Sequence, residues 1–386
     1  MAFDQSAVIR AMDFSLSEEQ QLLKDSVTRY LENDYDFRDR QATVQTERGF
    51  SDQHWSQFAE LGWLSVPLPE SCGGFGGQIE DTAVLCEAFG RELVVEPFLA
   101  TVMLGGKLLA AHGDDAIVGS IIEGGHHAAL AALERQSRQD FCDVTTTADK
   151  HGDGYVLNGH KELVLNGMAA DTLVVTARTS GERRDKDGIT LFAVPASSDG
   201  IQRHAVQLMD GTRAAQIRLS TVAVNADQVL GTVGTGAELL APVIAEAQIA
   251  VCAESVGLID ALCEKTLEYS RTRNQFGVAI GSFQALQHRM VDMLMSKEQA
   301  RSMLYRGICE LQQNEASWAE SIAAMKAVVG RNGRHVGEEA IQLHGGMGMT
   351  DELDIGHYVK RLMVLTHLFG DIEASMKRFA QTRYAA

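Results

Sequence analysis

The sequence predicts an α+β protein in three parts: a helical N-terminal domain, a middle β-sandwich or barrel, and a C-terminal four-helix bundle. Three observations predict it. Apolar residues recur at helical spacing up to about residue 127. The period then shortens and β-branched residues accumulate over about 128–232. Long helical runs return from about 233 to 386. A chain of 386 residues can bury two or three structural units of this kind. The expected domains are therefore 1–127, 128–232 and 233–386.

In the first part, SLSEEQQLLKDSVTRYL carries Ser17 three residues before Gln20, the spacing of a reciprocal helix cap, and Leu22, Leu23, Val27 and Leu31 follow on one face. PESCGGFGG (69–77) interrupts the helices, and EDTAVLCEAFGREL and FLATVMLGGKLLAAHG resume them. In the second part, GYVLNGHKELVLNG reads as a hairpin, two apolar runs turned at NGHK. DTLVVTAR, GITLFAVPA and TVAVNADQVLG continue as strands, with GERRDKDG as a polar connection. In the third part, the run from Glu238 to Arg273 is apolar on more than one face, as in a helix buried within a bundle.

Composition narrows the function. Hydrophobic residues at 45% against 22% charged are those of an ordinary globular protein. A formal net charge of −18 argues against nucleic acid as a partner, because phosphate backbones are bound by clustered Lys and Arg. The opening MAFDQSAVIRAMDF lacks the basic and apolar regions of a signal peptide. No uninterrupted apolar stretch reaches the length of a membrane span. The six cysteines include no CxxC pair and read as free thiols of a reducing compartment, so a cytoplasmic location is expected. There is no GxxxxGK[ST] and no GxGxxG between a strand and a helix. The histidines lack ligand spacing, GHHAAL reads as a solvated loop, and no metal site is expected.

Two segments stand out. SRTRNQFGVAIGSFQALQH (270–288) gathers Arg271, Arg273, Gln275, Gln284 and Gln287 around one helix–helix corner. It is either a polar corner with Phe276 and Phe283 packed inward, or a guanidinium and carboxamides placed to grip a pyrophosphate and a nucleotide. QLHGGMGMTDEL (342–353) is either a glycine-closed helix end or a backbone laid open to a ligand.

With these segments in this order, the chain resembles the acyl-CoA dehydrogenases along essentially its whole length. PESCGGFGG, DGYVLNGHKELVLNG, RTRNQFGVAIGSFQALQHRMVDM and QLHGGMGMTDE carry the resemblance, the last two most specifically. It implies FAD-dependent α,β-dehydrogenation of an acyl-CoA thioester, with an electron-transfer flavoprotein as acceptor and a homo- or hetero-tetrameric assembly. Arg273, Phe276 and Gln284 would contact FAD, and Gln342 with Gly345 and Gly346 would hold its ADP part across a subunit interface. The phrases SRTRNQFGV, GHYVKRL and LFGD look most like the small-subunit type of pimeloyl-CoA dehydrogenase, which would make the acyl group dicarboxylic or otherwise bulky.

The departures from the family pattern lie elsewhere. Its Thr-Glu-Pro run and small-residue loop read LERQSRQDF here: Glu134 remains and Arg135 replaces the Pro. Leu163 and Leu165 stand where an aromatic and a hydroxyl side chain usually flank the flavin. The usual catalytic carboxylate falls at Phe369. The alternative position falls at Ala247, beside Gln248 in place of an Arg. Glu246, one residue away, would point elsewhere and reads as a surface acid. Asp371 is the candidate base, and it is equally a candidate cap for the helix after it. Three functions follow: a subunit whose partner supplies the Glu; a homo-oligomeric flavoenzyme using Asp371, or a monooxygenase of the same fold using His367; or a non-catalytic scaffold. The presence of Arg273, Gln284 and Gln342 counts against the scaffold, because a pure packing role does not need them.

Overall fold

The structure, a computed structural model, describes residues 15–313 and 318–384. The opening MAFDQSAVIRAMDF lies outside the described residues. Helices come first: α1 (Glu18–Asp34), α2 (Phe37–Thr43), α3 (Asp52–Glu60), α4 (Ile79–Arg91), a π-helical turn (Leu99–Gly106) running into α5 (Lys107–His112), and α6 (Asp115–Ile122). The cap at Ser17 and Gln20 forms in both directions. Strands follow: β1 (Ala128–Ala131), β2 (Thr147–His151), β3 (Gly154–Leu165), β4 (Thr172–Arg178), β5 (Ile189–Pro195), β6 (Ile201–Gln207), β7 (Arg213–Val224) and β8 (Val229–Leu230). The chain ends with α7 (Gly236–Thr272), the small hairpin β9 (Asn274–Gln275) and β10 (Val278–Ala279), α8 (Gln284–Gln312), α9 (Trp318–His344), α10 (Ile355–His367) and α11 (Ile372–Tyr384).

The strands form one sheet in the order β6-β7-β3-β2-β4-β5-β8, with β1 parallel to β4. Its core is Leu157, Val164, Leu173, Phe192 and Ile217 with their neighbours. A second, larger core joins α4, α7 and the other helices. The 37-residue α7 is long and apolar enough to cross a membrane, but 78% of its apolar window is buried within the protein. It is the core helix of the bundle.

Two sequence readings are corrected. NGHK is not a turn. It lies inside the single twelve-residue strand β3, which pairs with β7 across register shifts at Leu157/Gly159 and Lys161/Val164. The hairpin turn comes earlier, where His151 pairs with Gly154. Gly159 is required for close approach rather than turning, since a Cβ there would stand 2.2 Å from the Thr146 hydroxyl. Nor is GHHAAL a solvated loop. His127 is buried between Phe50 and Trp55, and the alanines after it form β1. Its burial pulls the imidazole pKa down to about 4.

Helices α4 and α7 cross with their backbones in contact. A Cβ on Gly90 would lie 2.0 Å from the Glu254 carbonyl oxygen, and one on Gly257 would lie 2.0 Å from that of Glu87. Arg361 on α10 then ties this crossing to the sheet. It grips Glu254 through Nε (2.6 Å) and a terminal nitrogen (3.0 Å), and reaches Asp210 between β6 and β7 at 2.8 Å. Arg40 on α2 adds the N-terminal helices, donating to the carbonyls of Leu93 and Asp210.

Gly257→Ala is expected to cost about 1–3 kcal/mol by forcing the crossing apart. Arg361→Met should cost about 3–5 kcal/mol, because Asp210 and Glu254 would remain buried without their counter-charge. Urea midpoints at constant m-value check both.

Candidate active site and flavin-binding arm

Where the sheet meets the bundle, a cavity of about 340 Å³ opens. Its body is apolar: Leu104 from the π-helical turn, Leu130 from β1, Leu163 and Leu165 from β3, and Phe141 and Phe369. Its polar lining is Arg138, Gln139 and His367, and no carboxylate among the described residues lines it.

Phe369 ends the α10 segment at φ +57°, with Gly370 following at +124°. Two interactions hold this turn. The buried Lys326 ammonium donates to the carbonyls of Leu365 (2.7 Å) and Thr366 (3.1 Å), closing the negative end of α10. Gln248 donates its amide to the Phe369 carbonyl at 2.6 Å. The Phe369 ring is 7% exposed and lies 6.4 Å from that of Phe141. An aromatic wall thus occupies the position where the sequence comparison expects the base.

The nearby acids are engaged elsewhere. Asp371 Oδ1 accepts the Ala374 N–H at 2.8 Å, which caps α11, and the Asp371 N–H donates to Gln139 Oε1 at 2.7 Å. It does not line the cavity. Glu246 is not a free surface acid. It is half-buried and ion-paired with Lys107, because the turn of α7 aims it at α5 rather than at solvent. Ala247 is fully buried. His367 Nδ1 donates to the Met363 carbonyl at 2.8 Å, which fixes the tautomer and leaves Nε2 as an acceptor.

The cavity's outer wall is the loop 134–146, pinned at its base by Glu134. This carboxylate accepts from the backbone N–H groups of Thr145 (2.9 Å) and Thr146 (3.0 Å), from Gln136 (2.7 Å) and from Lys161 Nζ (2.7 Å). Lys161 is fully buried, and also reaches Thr176 Oγ1 at 3.0 Å. Burial alone would raise the Glu134 pKa; Lys161 and the hydrogen bonds overcome it and hold the carboxyl at about 2. Burial draws Lys161 down to about 8, opposed by Glu134. Lys161 lies within NGHK, and reading that stretch as a turn concealed it. Arg138 and Gln139 lie in LERQSRQDF, which the sequence analysis marked only for what it had lost.

The FAD-contact candidates lie away from this cavity, at the far end of the bundle. The β9–β10 hairpin carries Phe276 at its tip, at φ +54° and 92% exposed, so it is not packed into the core. Arg273, Gln284 and Gln342 are exposed, and their side chains make no hydrogen bond or ion pair with any described residue. Gln287, by contrast, is tied to the Gly281 carbonyl of its own loop. Tyr269, one turn before Arg273, stacks on His344 with centroids 4.3 Å apart, and so brings Gly345 and Gly346 to the same end. A Cβ at either glycine would meet nothing within 4 Å. An unpaired guanidinium, two free carboxamides and an open glycine backbone fit a flavin dinucleotide approaching from outside this chain.

Three family models cover the chain: the acyl-CoA dehydrogenase N-terminal domain over 17–120, the middle domain over 129–222 and the C-terminal domain over 234–383. The chain belongs to the acyl-CoA dehydrogenase family. It is similar to the probable acyl-CoA dehydrogenase YngJ of Bacillus subtilis (strain 168), at 28% identity over 363 residues covering 89% of this chain and 92% of YngJ. It is also similar to acyl-CoA dehydrogenase IpdE2 of Mycolicibacterium smegmatis, at 29% identity over 368 residues covering 94% and 98%. Among solved structures, the FAD complex of PigA superposes with a TM-score of 0.89 at 26% identity, covering 96% of this chain and 99% of PigA. The family's members are oxidoreductases, and its cofactor is FAD.

Glu134→Gln should cost about 3–5 kcal/mol, since it strips the counter-charge from a buried ammonium; Glu134→Leu with Lys161→Met should recover most of it. Glu134 has a folded pKa below its ordinary 4.5. Its stabilisation is therefore present above that value and is lost as pH falls toward 2. The acid limb of the stability profile should flatten in Glu134→Gln, as read by urea unfolding at successive pH values.

Proposed function

We propose that this chain is one subunit of a heteromeric, FAD-dependent acyl-CoA dehydrogenase whose partner supplies the catalytic carboxylate. The observation that carries this reading is the contrast between two ends of one chain. The cavity has Phe369 where the family resemblance would put the base, and no carboxylate among the described residues of its lining. The Arg273–Phe276–Gln284 arm keeps donors that no described residue of this chain uses.

When bound, FAD would supply a hydride acceptor for α,β-dehydrogenation of the acyl thioester. This chain's part is to hold the dinucleotide. Arg273 would meet its phosphates, Phe276 would cover it, Gln284 would donate to it, and Gln342 with the backbone of Gly345 and Gly346 would hold its ADP portion. The assembly would be a tetramer with a second family member, with an electron-transfer flavoprotein as acceptor. The acyl group would be dicarboxylic or bulky, as the resemblance to the pimeloyl-CoA dehydrogenase small subunit implies. Six free thiols fit a reducing, cytoplasmic setting.

A second reading has one specific observation behind it. His367 lines the cavity with Nδ1 committed to the Met363 carbonyl, and would serve a monooxygenase of this fold, as Asp371 would serve as base in a homo-oligomeric dehydrogenase. Asp371 would have to abandon its cap to play that part.

Anaerobic mixing with acyl-CoA thioesters, mono- and dicarboxylic, separates the readings. The chain alone with added FAD should leave the flavin absorbance unbleached, and the chain co-purified with its partner should bleach it. Bleaching by the chain alone, lost in His367→Gln or Asp371→Asn, would overturn the heteromeric reading. In the complex, Arg273→Ala should weaken FAD retention at least about tenfold, the weight of one charge-assisted contact; equilibrium dialysis measures it.

A further inference from the structure

The cavity beside Phe369 has an apolar body and a polar end made of donors. Arg138 lines both the cavity and the shallow cleft outside it. It makes no hydrogen bond or ion pair with any described residue. Its backbone sits at φ +51°, a conformation that a side-chain-bearing residue holds at a cost. The loop bears that cost because Glu134 closes it at its base. Gln139 shares the same end. Its Oε1 is taken by the Asp371 N–H, so its Nε2 is left as a donor into the cavity lining.

Among the described residues no carboxylate lines the cavity, and Asp371, whose N–H holds Gln139 Oε1, has its Oδ1 committed to the Ala374 N–H. Glu134 is committed to Lys161, and the two oxygens of Glu162, in the outer cleft, accept from His160 at 3.1 Å and Gln216 at 2.9 Å. His367 Nε2 completes the polar lining as an acceptor when the ring is neutral, so the donors are Arg138 and Gln139.

We propose that this cavity binds a free medium-chain carboxylate. The carboxylate lies on the Arg138 guanidinium and Gln139 Nε2, and the aliphatic chain lies among Leu104, Leu130 and Phe369. A planar guanidinium matches a carboxylate with two parallel bonds, and a cavity of about 340 Å³ is at the small end of ligand pockets. Binding changes no covalent bond. The proposal rests on the reading above in one respect: the reaction is assigned to the partner's pocket, which leaves this one free for a ligand that is held and not processed.

Isothermal titration of the full chain, and of its complex with the partner, tests this with octanoate and with octan-1-ol as its uncharged counterpart. Octanoate should bind saturably, and octan-1-ol at least about tenfold more weakly. Arg138→Gln should weaken octanoate at least about tenfold and leave octan-1-ol unchanged. Arg138 is exposed and unpaired, so the variant should fold, and its melting curve verifies that. Absence of octanoate binding, equal affinity for the two probes, or an unchanged octanoate affinity in Arg138→Gln would each overturn the proposal. Octanoate carries no thioester and cannot bleach flavin. Its titration and the bleaching experiment can therefore fail independently.

Discussion

Arg361 joins three parts of the chain through one buried charged centre. It stands on α10, holds Glu254 on α7 in a two-point grip, and reaches Asp210 at the edge of the sheet. The Glu254 carbonyl is also what a Cβ on Gly90 would strike, so the ion cluster sits directly on the α4–α7 crossing. Burial would favour the neutral acid at Asp210, yet Arg361 and Thr212 hold its pKa below the usual range. Such a cluster adds little net stability over an apolar replacement, but it admits only one mutual placement of its partners. The placement of α10 against α7 then sets the position of Phe369, two residues beyond the end of α10.

The Phe369 cavity and the arm at Arg273 differ in kind. The cavity is apolar, with no carboxylate among the described residues that line it. The arm's side-chain donors meet no described residue of their own chain. Lys326 and Gln248 show that the Phe369 turn is a built feature, since a buried ammonium and a buried amide are both committed to its backbone.

The helical parts and the arm were legible in the sequence because periodicity and capping are local signals. Ser17 and Gln20 sit three apart and cap as that spacing requires. Arg273, Phe276 and Gln284 lie in one short run. The cavity was less legible because its walls come from five separated segments. Gly159 looked like a turn, and only the packing of Thr146 against it shows why the position must be bare. Lys161 looked like a turn residue and is the buried partner of a carboxylate 27 positions earlier. Glu246 looked like a surface acid because its partner, Lys107, is 139 positions away. Each of these residues is explained by a contact that no window of sequence contains.

The length of α7 gives these separations a mechanical meaning. Gln248, which holds the turn at the cavity, and Arg273, the C-cap of α7 that opens the exposed arm, are 25 residues apart along α7. At the rise of an α-helix that is about 37 Å. The rod between them is buried along most of its length and pinned midway by Glu254 and Gly257. It behaves as a strut of fixed span, so the two ends cannot approach each other to form one site. A chain built this way holds two surfaces at a constant distance, the cavity against its own sheet and the exposed arm at Arg273. Any tilt of the strut at its pinned centre would move them in opposite directions.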